Sequence, residues 1–249
     1  MDRGGFWNVW NCGVFLVNCK GLPSDLDPDF SILHATIRLP DGWRAARDEW
    51  REKCSDWSKV EYILAVDPCD AALWPPWEPD VRQVTNPGRH CSVDAFNWAA
   101  KCARGKVLIQ SADDWFPPEN WDLGIREALG GDLSREAVVD VDSQHFTGQI
   151  IICPIMTRSY YERPGRGGCS GEFFYPEYMS MGADDDLTEY AKRDNVVVQA
   201  YHLRFEHRHP WTGQHQHDTH GAYAHNQSLA AWETKDRVLK RRKEDGFLK

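Results

Sequence analysis

Two adjacent carboxylates, Asp113 and Asp114, directly follow an apolar segment of the chain. Neighbouring carboxylates on a tight turn suit a hard divalent cation, because one can bind the ion directly while the other acts through water or a ribose hydroxyl. A solvated turn or a helix cap is the alternative use of such a pair. Their position at the end of a predicted strand favours a metal site.

A second group of acids, Asp184, Asp185 and Asp186, begins a segment with helical character. Carboxylates at a helix N-terminus complement the helix dipole, and one that faces a crevice can instead act as a general base. Successive helical residues point about 100° apart, so only one of Asp184 and Asp185 can face an acceptor. The sequence leaves the choice open.

Histidines provide the third set of candidate ligands. His207 and His209 alternate along a predicted strand end and therefore lie on one side of it. A neutral imidazole can join carboxylates at a metal such as Mn²⁺, although an ordinary loop histidine is the alternative. The further group His215, His217 and His220 lies in a Gly- and Gln-containing stretch. Because that stretch lacks the rigid helical frame of a zinc motif, we do not expect zinc there.

Alternating strands and helices must position these groups. Hydrophobic periodicity predicts strands at 30–38, 60–67, 81–85 and 106–110, and helices at 42–54 and 92–104, the latter capped by Ser92. This alternation predicts an α/β protein with a mainly parallel, doubly wound sheet flanked by helices. Ligands of such sheets bind at the carboxyl ends of the strands. Asp67 and Asp113 fall at such ends, and so do Thr36 and Arg38, where an arginine suits a phosphate or a base edge unless it is a surface residue.

The second half of the chain is less regular. We expect helices at 121–129, 183–193 and 228–249, and strands at 137–142, 149–153 and 196–205. The last helix is basic. It is interpreted as a solvated face, with a nucleic-acid contact as the alternative.

Composition narrows the functional class. The 249 residues carry a net charge of −9, which is a poor match for unspecific nucleic-acid binding. The longest apolar runs fall far short of the roughly 20 residues of a membrane span, and we find no signal peptide. The eight cysteines include no CxxC pair, so reduced thiols and a cytoplasmic location are expected.

Taken together, the motifs resemble GT-A glycosyltransferases, closest to the family-2-like enzymes. Residues 94–118 (DAFNWAAKCARGKVLIQSADDWFPP) resemble that family's helix, strand and acidic metal motif. The resemblance extends over about 30–210 and implies a Rossmann-like GT-A sheet in a single domain. It divides the chain into an extension (1–29), a transferase domain (30–225) and a basic helix (226–249). Within the domain it implies a nucleotide-binding half (about 30–118) and an acceptor half (about 119–225).

The resemblance also implies roles for individual residues. Asp113 and Asp114 would hold Mg²⁺ or Mn²⁺ on a nucleotide-sugar donor, for which a UDP-sugar is expected, and His207 or His209 would complete the coordination. The donor contacts would come from Thr36, Arg38, Asp67, Asn97 and Asp113. Asp184 or Asp185 would take the proton of the acceptor hydroxyl, and that single displacement inverts the anomeric carbon. The family usually has an acid at the position of Ser111, but its metal ligand is normally the later Asp.

Three other functions are weighed against this one. A non-catalytic carbohydrate-binding or scaffold protein on a decayed GT-A fold is suggested by Ser111 and by the twelve tryptophans. A sugar-nucleotidyltransferase would need a Gly-rich basic loop after the first strand, and 39–43 do not fit. The acceptor is a glycan, a small molecule or a hydroxymethylated base in DNA. The hypothesis of a DNA acceptor depends on the basic C-terminal helix.

Overall fold

A seven-stranded sheet forms the centre of the computed structural model, which describes residues 27–36, 42–67, 78, 80–208 and 228–247. In chain order its strands are β1 (Phe30–Ala35), β2 (Val60–Val66), β3 (Val81–Thr85), β4 (Val107–Ser111), β6 (Val138–Asp142), β7 (Ile155–Thr157) and β8 (Val197–Arg204). Their order across the sheet is β3-β2-β1-β4-β7-β6-β8. A separate two-stranded ribbon pairs β5 (Trp115–Phe116) with β9 (Glu206–His207).

The sheet is mainly parallel, as predicted. Strands β3, β2, β1 and β4 are all parallel, and β8 is parallel to β6. Only β7 runs against its neighbours, β4 and β6. The carboxyl ends of β1, β2 and β4 therefore meet at one edge of the sheet, which is where the candidate site residues were expected.

One predicted strand is wrong. The segment 149–153 forms turns, and the strand lies after it, at Ile155–Thr157. Pro154 separates the two, and a proline cannot donate to a strand ladder. The amide of Ile151 instead donates to the Thr188 hydroxyl at 2.9 Å. The apolar run therefore packs in the core without joining the sheet.

Helices cover both faces of the sheet. They are α1 (Arg44–Glu52), α2 (Ser92–Cys102), α3 (Trp121–Ala128), α4 (Arg158–Tyr161), α5 (Ala183–Arg193) and α6 (Leu229–Glu244). The predicted cap of α2 is corrected by one residue: Cys91 is the N-cap and Ser92 is the first helical residue. The Ser92 hydroxyl donates to the Met179 carbonyl at 3.3 Å and so does not cap the helix.

Two apolar layers, one on each side of the sheet, make up the core. One layer contains four fully buried tryptophans: Trp43, Trp50, Trp115 and Trp121. Core filling thus accounts for a third of the tryptophans, which weakens the argument from tryptophan content for sugar stacking. No helix within the described ranges is long and apolar enough to cross a membrane.

Candidate functional site

The acidic pair lies between the main sheet and the two-stranded ribbon. β4 ends at Ser111, and the chain turns through Asp113 and Asp114 into β5, where the Trp115 amide donates to the Ala112 carbonyl at 3.2 Å. In the ribbon, Trp115 pairs with His207. Residues almost a hundred positions apart are thereby brought to the same edge.

This pairing places His207 beside Asp114. The His207 Nε2 lies 3.7 Å from Asp114 Oδ2, and the two side chains are 22% and 23% exposed. The Arg208 amide donates to the Asp114 carbonyl at 2.8 Å, which fixes the turn. At 3.7 Å the two groups are near enough to share a bound cation, with one oxygen and one nitrogen as ligands. The structure thus brings together two of the predicted metal ligands.

Asp113 has different surroundings. Its Oδ1 lies 2.9 Å from His34 Nε2, and its Oδ2 accepts a hydrogen bond from the Thr36 hydroxyl at 2.9 Å. The other ring nitrogen of His34 contacts the Tyr62 hydroxyl. Both carboxylate oxygens therefore have protein partners, and the side chain is held in one orientation. Thr36, a predicted donor contact, is one of these partners.

Sequence reasoning missed His34. It is fully buried on β1, in register with Ser111 on β4 and two residues before Thr36. Because alternate residues of a strand face the same side, His34 and Thr36 both point towards Asp113. A histidine in an otherwise apolar strand was the available signal, but it could not be connected to Asp113 before the β1–β4 register was known.

Asp67 anchors a second polar group at the same edge. Its Oδ1 accepts from the Asn86 side-chain amide at 2.8 Å, and its Oδ2 lies 2.7 Å from His90 Nε2. Asp67 and Asn86 are buried, whereas the His90 side chain is half exposed. Asn86 and His90 were also missed. The only signal was the turn-forming Asn-Pro-Gly sequence after β3.

The three acids of α5 have three different environments. Asp186 is fully buried and forms an ion pair with Arg242 Nε at 2.6 Å. Asp185 pairs with Lys235 Nζ at 2.9 Å. Asp184 is half-buried and forms no ion pair within the described ranges, and its Oδ1 accepts the Asp185 amide at 3.0 Å. The open choice between Asp184 and Asp185 therefore moves towards Asp184.

The environment of Asp184 suits a proton acceptor. Burial, followed by the neighbouring charge of Asp185, raises the pKa of Asp184 to about 6. A carboxylate with this pKa is ionised at neutral pH and more basic than an ordinary aspartate. α5 leads after a short turn into β8, which runs parallel to β6, so the first turn of α5, with Asp184, lies at the carboxyl edge of the sheet. Burial, followed by the charges of Asp114 and Asp184, raises the pKa of the Cys153 thiol well above its usual range.

The remaining predicted residues separate into two groups. Asn97 is buried, and its side chain exchanges two hydrogen bonds with the backbone of Phe174, at 3.1 and 2.8 Å. It thus ties α2 to the loop before α5, and its predicted donor contact stays a prediction. The second group lies outside the described residues. It consists of Arg38, His209 and the three histidines at which zinc was not expected, His215, His217 and His220.

The basic C-terminal helix has the solvated face that was predicted, which carries Arg237, Lys240 and Lys243, but its other side is paired with the domain. Three of its cations are paired with acids of the domain: Lys235 with Asp185, Arg241 with Glu177, and Arg242 with Asp186. These pairs neutralise much of the helix's charge. They leave three of the six cations of the helix for a nucleic-acid contact, which weakens its electrostatic basis.

The described residues contain no cluster of three or more His, Cys, Asp or Glu side chains arranged to hold a metal ion. A site made of Asp114 and His207 alone still fits a nucleotide-bound ion. Mg²⁺ in particular is commonly held by one or two carboxylates together with substrate phosphates and waters.

Comparison with solved structures gives matches to the S. aureus protein TarS, a GT-A glycosyltransferase. Its crystal structure superimposes on 71% of this chain with a TM-score of 0.55 and 11% identity, and 36% of that chain is covered. TarS 1-349 in complex with UDP-GlcNAc superimposes on 78% with a TM-score of 0.54 and 13% identity, and 61% of that chain is covered. The complex of TarS 1-349 with UDP matches over 71%, with a TM-score of 0.54, 11% identity and 59% of that chain covered.

These matches show the fold of the chain. It is a GT-A-like glycosyltransferase fold, as the sequence motifs predicted. The match spans less than two thirds of each TarS chain. No protein-family model matches the sequence, and no curated protein matches it either.

Proposed function

We propose that this protein is a metal-dependent, inverting glycosyltransferase that moves a sugar from a UDP-sugar to an acceptor hydroxyl. One observation carries the proposal: at the carboxyl edge of a GT-A-like sheet, Asp114 and His207 lie 3.7 Å apart. Asp184, whose pKa is raised to about 6, lies in the first turn of α5, and that turn is at the same edge of the sheet. UDP is the favoured nucleotide because TarS, which shares the fold, has been crystallised with UDP and with UDP-GlcNAc.

Asp114 and His207 would hold Mg²⁺ or Mn²⁺. When bound, the cation supplies positive charge that stabilises the diphosphate as it leaves. Asp113 is fixed by His34 and Thr36, so it would orient a ribose hydroxyl or a metal-bound water. Asp67, held by Asn86 and His90, would face the nucleoside.

Asp184 would accept the proton of the acceptor hydroxyl. As that oxygen attacks the anomeric carbon, the bond to the UDP oxygen breaks and the proton passes to the carboxylate. A single displacement of this kind inverts the configuration. The acceptor would be a glycan or a small molecule rather than a DNA base, since three cations of the C-terminal helix already pair with acids of the domain.

The test is a panel of UDP-, GDP- and TDP-sugars with candidate acceptors in Mn²⁺, Mg²⁺ or EDTA, scored by release of the nucleotide diphosphate. We expect turnover of a UDP-sugar that EDTA abolishes. Asp114→Asn and His207→Ala should each lower the rate at least about 100-fold. Asp236→Asn and His202→Ala change exposed residues of the same types and should leave the rate unchanged. Full turnover in EDTA, or by Asp114→Asn, would contradict the site.

A second candidate function is a nucleotide-sugar-binding protein that does not turn its ligand over. It is suggested by Ser111, which stands where the resembled family usually has an acid. In that protein Asp113 would still orient a nucleotide, but no UDP would be released. UDP binding that is strengthened by Mn²⁺, with no release from any donor and acceptor pair, would favour it.

A further inference from the structure

We infer that the C-terminal helix α6 is a positioning element for the proposed catalytic base: Lys235 and Arg242 hold Asp185 and Asp186, so that Asp184 is the one acid of the three that forms no ion pair in the described ranges. The inference rests on the proposed function for the role of Asp184. It assigns to the paired side of the basic helix a task at the proposed active site in place of a nucleic-acid contact.

Arg242 forms the fixed end of this arrangement. Its side chain is 1% exposed, its Nε pairs with Asp186 Oδ1 at 2.6 Å, and its guanidinium lies 3.9 Å from the centre of the Tyr175 ring. A terminal nitrogen also donates to the Gly167 carbonyl. One arginine thereby joins α6, the first turn of α5 and the loop that precedes α5. Such a buried, multiply bonded pair restricts the rotation of α5 about its axis.

Lys235 forms the second end of this arrangement. Its Nζ lies 2.9 Å from Asp185 Oδ2, and the lysine side chain is 20% exposed. Gly182, immediately before α5, has φ +87°, and a Cβ there would come within 2.8 Å of the Lys235 Cγ. The helix start and the lysine stem are therefore in close contact, and only glycine satisfies both the backbone angle and the space.

Asp184 is the acid that these contacts leave without an ion pair in the described part of the chain. The Thr188 hydroxyl donates to the Asp184 carbonyl at 2.7 Å and accepts the Ile151 amide, so this side of α5 packs on the segment that contains Cys153. Two neighbouring charges act on Asp184: that of Asp185 on the same helix and that of Lys235 on α6. Cys153, before β7, is near enough to Asp184 and to Asp114 for both charges to act on its thiol, and Asp186 on α5 is paired with Arg242.

These charges act on Asp184 with opposite signs. The cation of Lys235 lowers the pKa of Asp184, and the anion of Asp185 raises it. Removing Lys235 should therefore raise that pKa, and removing the charge of Asp185 should lower it. Removing both should leave it near its starting value. A helix that only stabilised the fold through contacts remote from Asp184 would leave this pKa unmoved.

The experiment follows the Asp184 carboxyl by ¹³C NMR titration in protein labelled at the aspartate carboxyl carbons. Its signal is identified by its loss in Asp184→Asn. The variants are Lys235→Met, Asp185→Asn, the double variant, and Lys240→Met as a control on the exposed side of the same helix. We expect shifts of about half a pH unit up for Lys235→Met and down for Asp185→Asn. The double variant and the control should stay within about 0.2 units of the parent.

The outcomes separate the two proposals. Opposite shifts that cancel in the double variant support the role of α6 whether or not transfer is detected, and loss of transfer alone would count against the proposed function only. An unmoved Asp184 titration in a folded Lys235→Met protein, or an equal shift in Lys240→Met, would overturn the inference. Where transfer is measured, the acid side of the pH–rate profile should move in the same direction as the titration.

Discussion

Asp113 and Asp114 are neighbours in the chain, yet their different surroundings favour different chemical roles. Asp113 is 10% exposed, and both its oxygens are bonded to β1 residues, His34 and Thr36. Asp114 is 23% exposed and lies beside His207. A carboxylate that is already bonded twice orients its partners, and one that lies next to an imidazole can bind a cation with it. The proposal therefore assigns orientation to Asp113 and metal binding to Asp114.

The rate of transfer should depend on the protonation of Asp184. Burial and the charge of Asp185 raise the pKa of Asp184 to about 6, and only the ionised form accepts a proton. We therefore expect kcat/KM to be constant above this pKa and to fall about tenfold per pH unit below it. A pH–rate profile measures this. A profile that stays flat down to pH 4.5 would contradict the assignment of Asp184 as the base.

Replacing Asp184, the proposed base, should stabilise the fold. Because the pKa of Asp184 is higher in the folded protein than in the unfolded chain, the folded state binds more protons between about pH 4 and 6, and stability falls as the pH rises through that range. Asp184→Asn removes the buried charge, so it should add about 1 kcal/mol to the free energy of unfolding at pH 7.5.

The control for this prediction is the pH dependence of the free energy of unfolding gained by Asp184→Asn. This gain should shrink as the pH is lowered towards 4, where the parent carboxyl is protonated in the folded state and the unfolded chain begins to take up its proton. Urea unfolding at pH 7.5 and 4.5 measures both values, and transfer should be lost in the same variant. A gain that is equal at both pH values would mean that the charge of Asp184 is not its origin.

The sequence predicted which residues lie at the site only where the strand pattern itself puts a residue at a strand end. Asp113, Asp114 and Asp67 follow apolar strands, and that pattern was enough to predict their edge of the sheet. His34 and Asn86 were missed because their partners are fixed by the pairing of strands distant in sequence. The choice among the acids of α5 depended on α6, whose contacts no local pattern reveals.

At the scale of elements, the ribbon of β5 and β9 depends on the tryptophan layer beneath it. Trp50 of α1 donates its indole N–H to the Trp115 carbonyl at 3.1 Å, and the Trp115 ring stacks on Phe205. These contacts hold β5 where Asp114 meets His207. The ribbon is only two residues long on each side, so packing rather than its ladder must keep it in place.

Trp50→Phe should disturb both stability and metal use. The change removes the donor to a buried carbonyl and leaves a small cavity, so we expect a loss of about 2–3 kcal/mol in urea unfolding. The Mn²⁺ concentration for half-maximal transfer should rise in the same variant. Trp57→Phe, at a half-buried position of the 3₁₀ turn before β2, is the control. A destabilised Trp50→Phe protein with unchanged Mn²⁺ dependence would argue against this coupling.

Arg242→Met should be among the most damaging changes in α6. It leaves the Asp186 carboxylate buried without its partner, which should cost about 3–5 kcal/mol. The double variant Asp186→Leu/Arg242→Met removes both charges and should recover most of that loss. Arg241→Met breaks an exposed pair with Glu177 and should cost less than about 1 kcal/mol. Urea unfolding of the three variants gives the comparison, and equal losses for Arg241→Met and Arg242→Met would contradict it.

Regular elements were the most predictable part of the fold. β3 and α5 lie at the predicted bounds, because apolar periodicity and turn residues agree there. The segment 149–153 was wrongly assigned because an apolar run indicates burial without distinguishing a strand from a packed turn. β9 was not separated from β8, since a two-residue ribbon has no periodicity to detect.

At the scale of the whole molecule, the parallel strands bring the ends of β1, β2 and β4 to one edge, and the ribbon and α6 complete it. Alternating strands and helices were sufficient to predict that sheet. The closure of the edge by β9 and α6 was not predictable, because both contacts join segments far apart in the chain. The division into nucleotide-binding and acceptor halves near residue 118 stays a prediction.

The most direct test of the central claim is the binding of UDP to the parent protein and to Asp114→Asn, measured by isothermal titration in Mn²⁺ and in EDTA. We expect Mn²⁺ to tighten UDP binding at least about tenfold over EDTA in the parent, and Asp114→Asn to remove this difference. UDP binding that is equal in Mn²⁺ and EDTA, or a Mn²⁺ effect that persists in Asp114→Asn, would contradict the central claim.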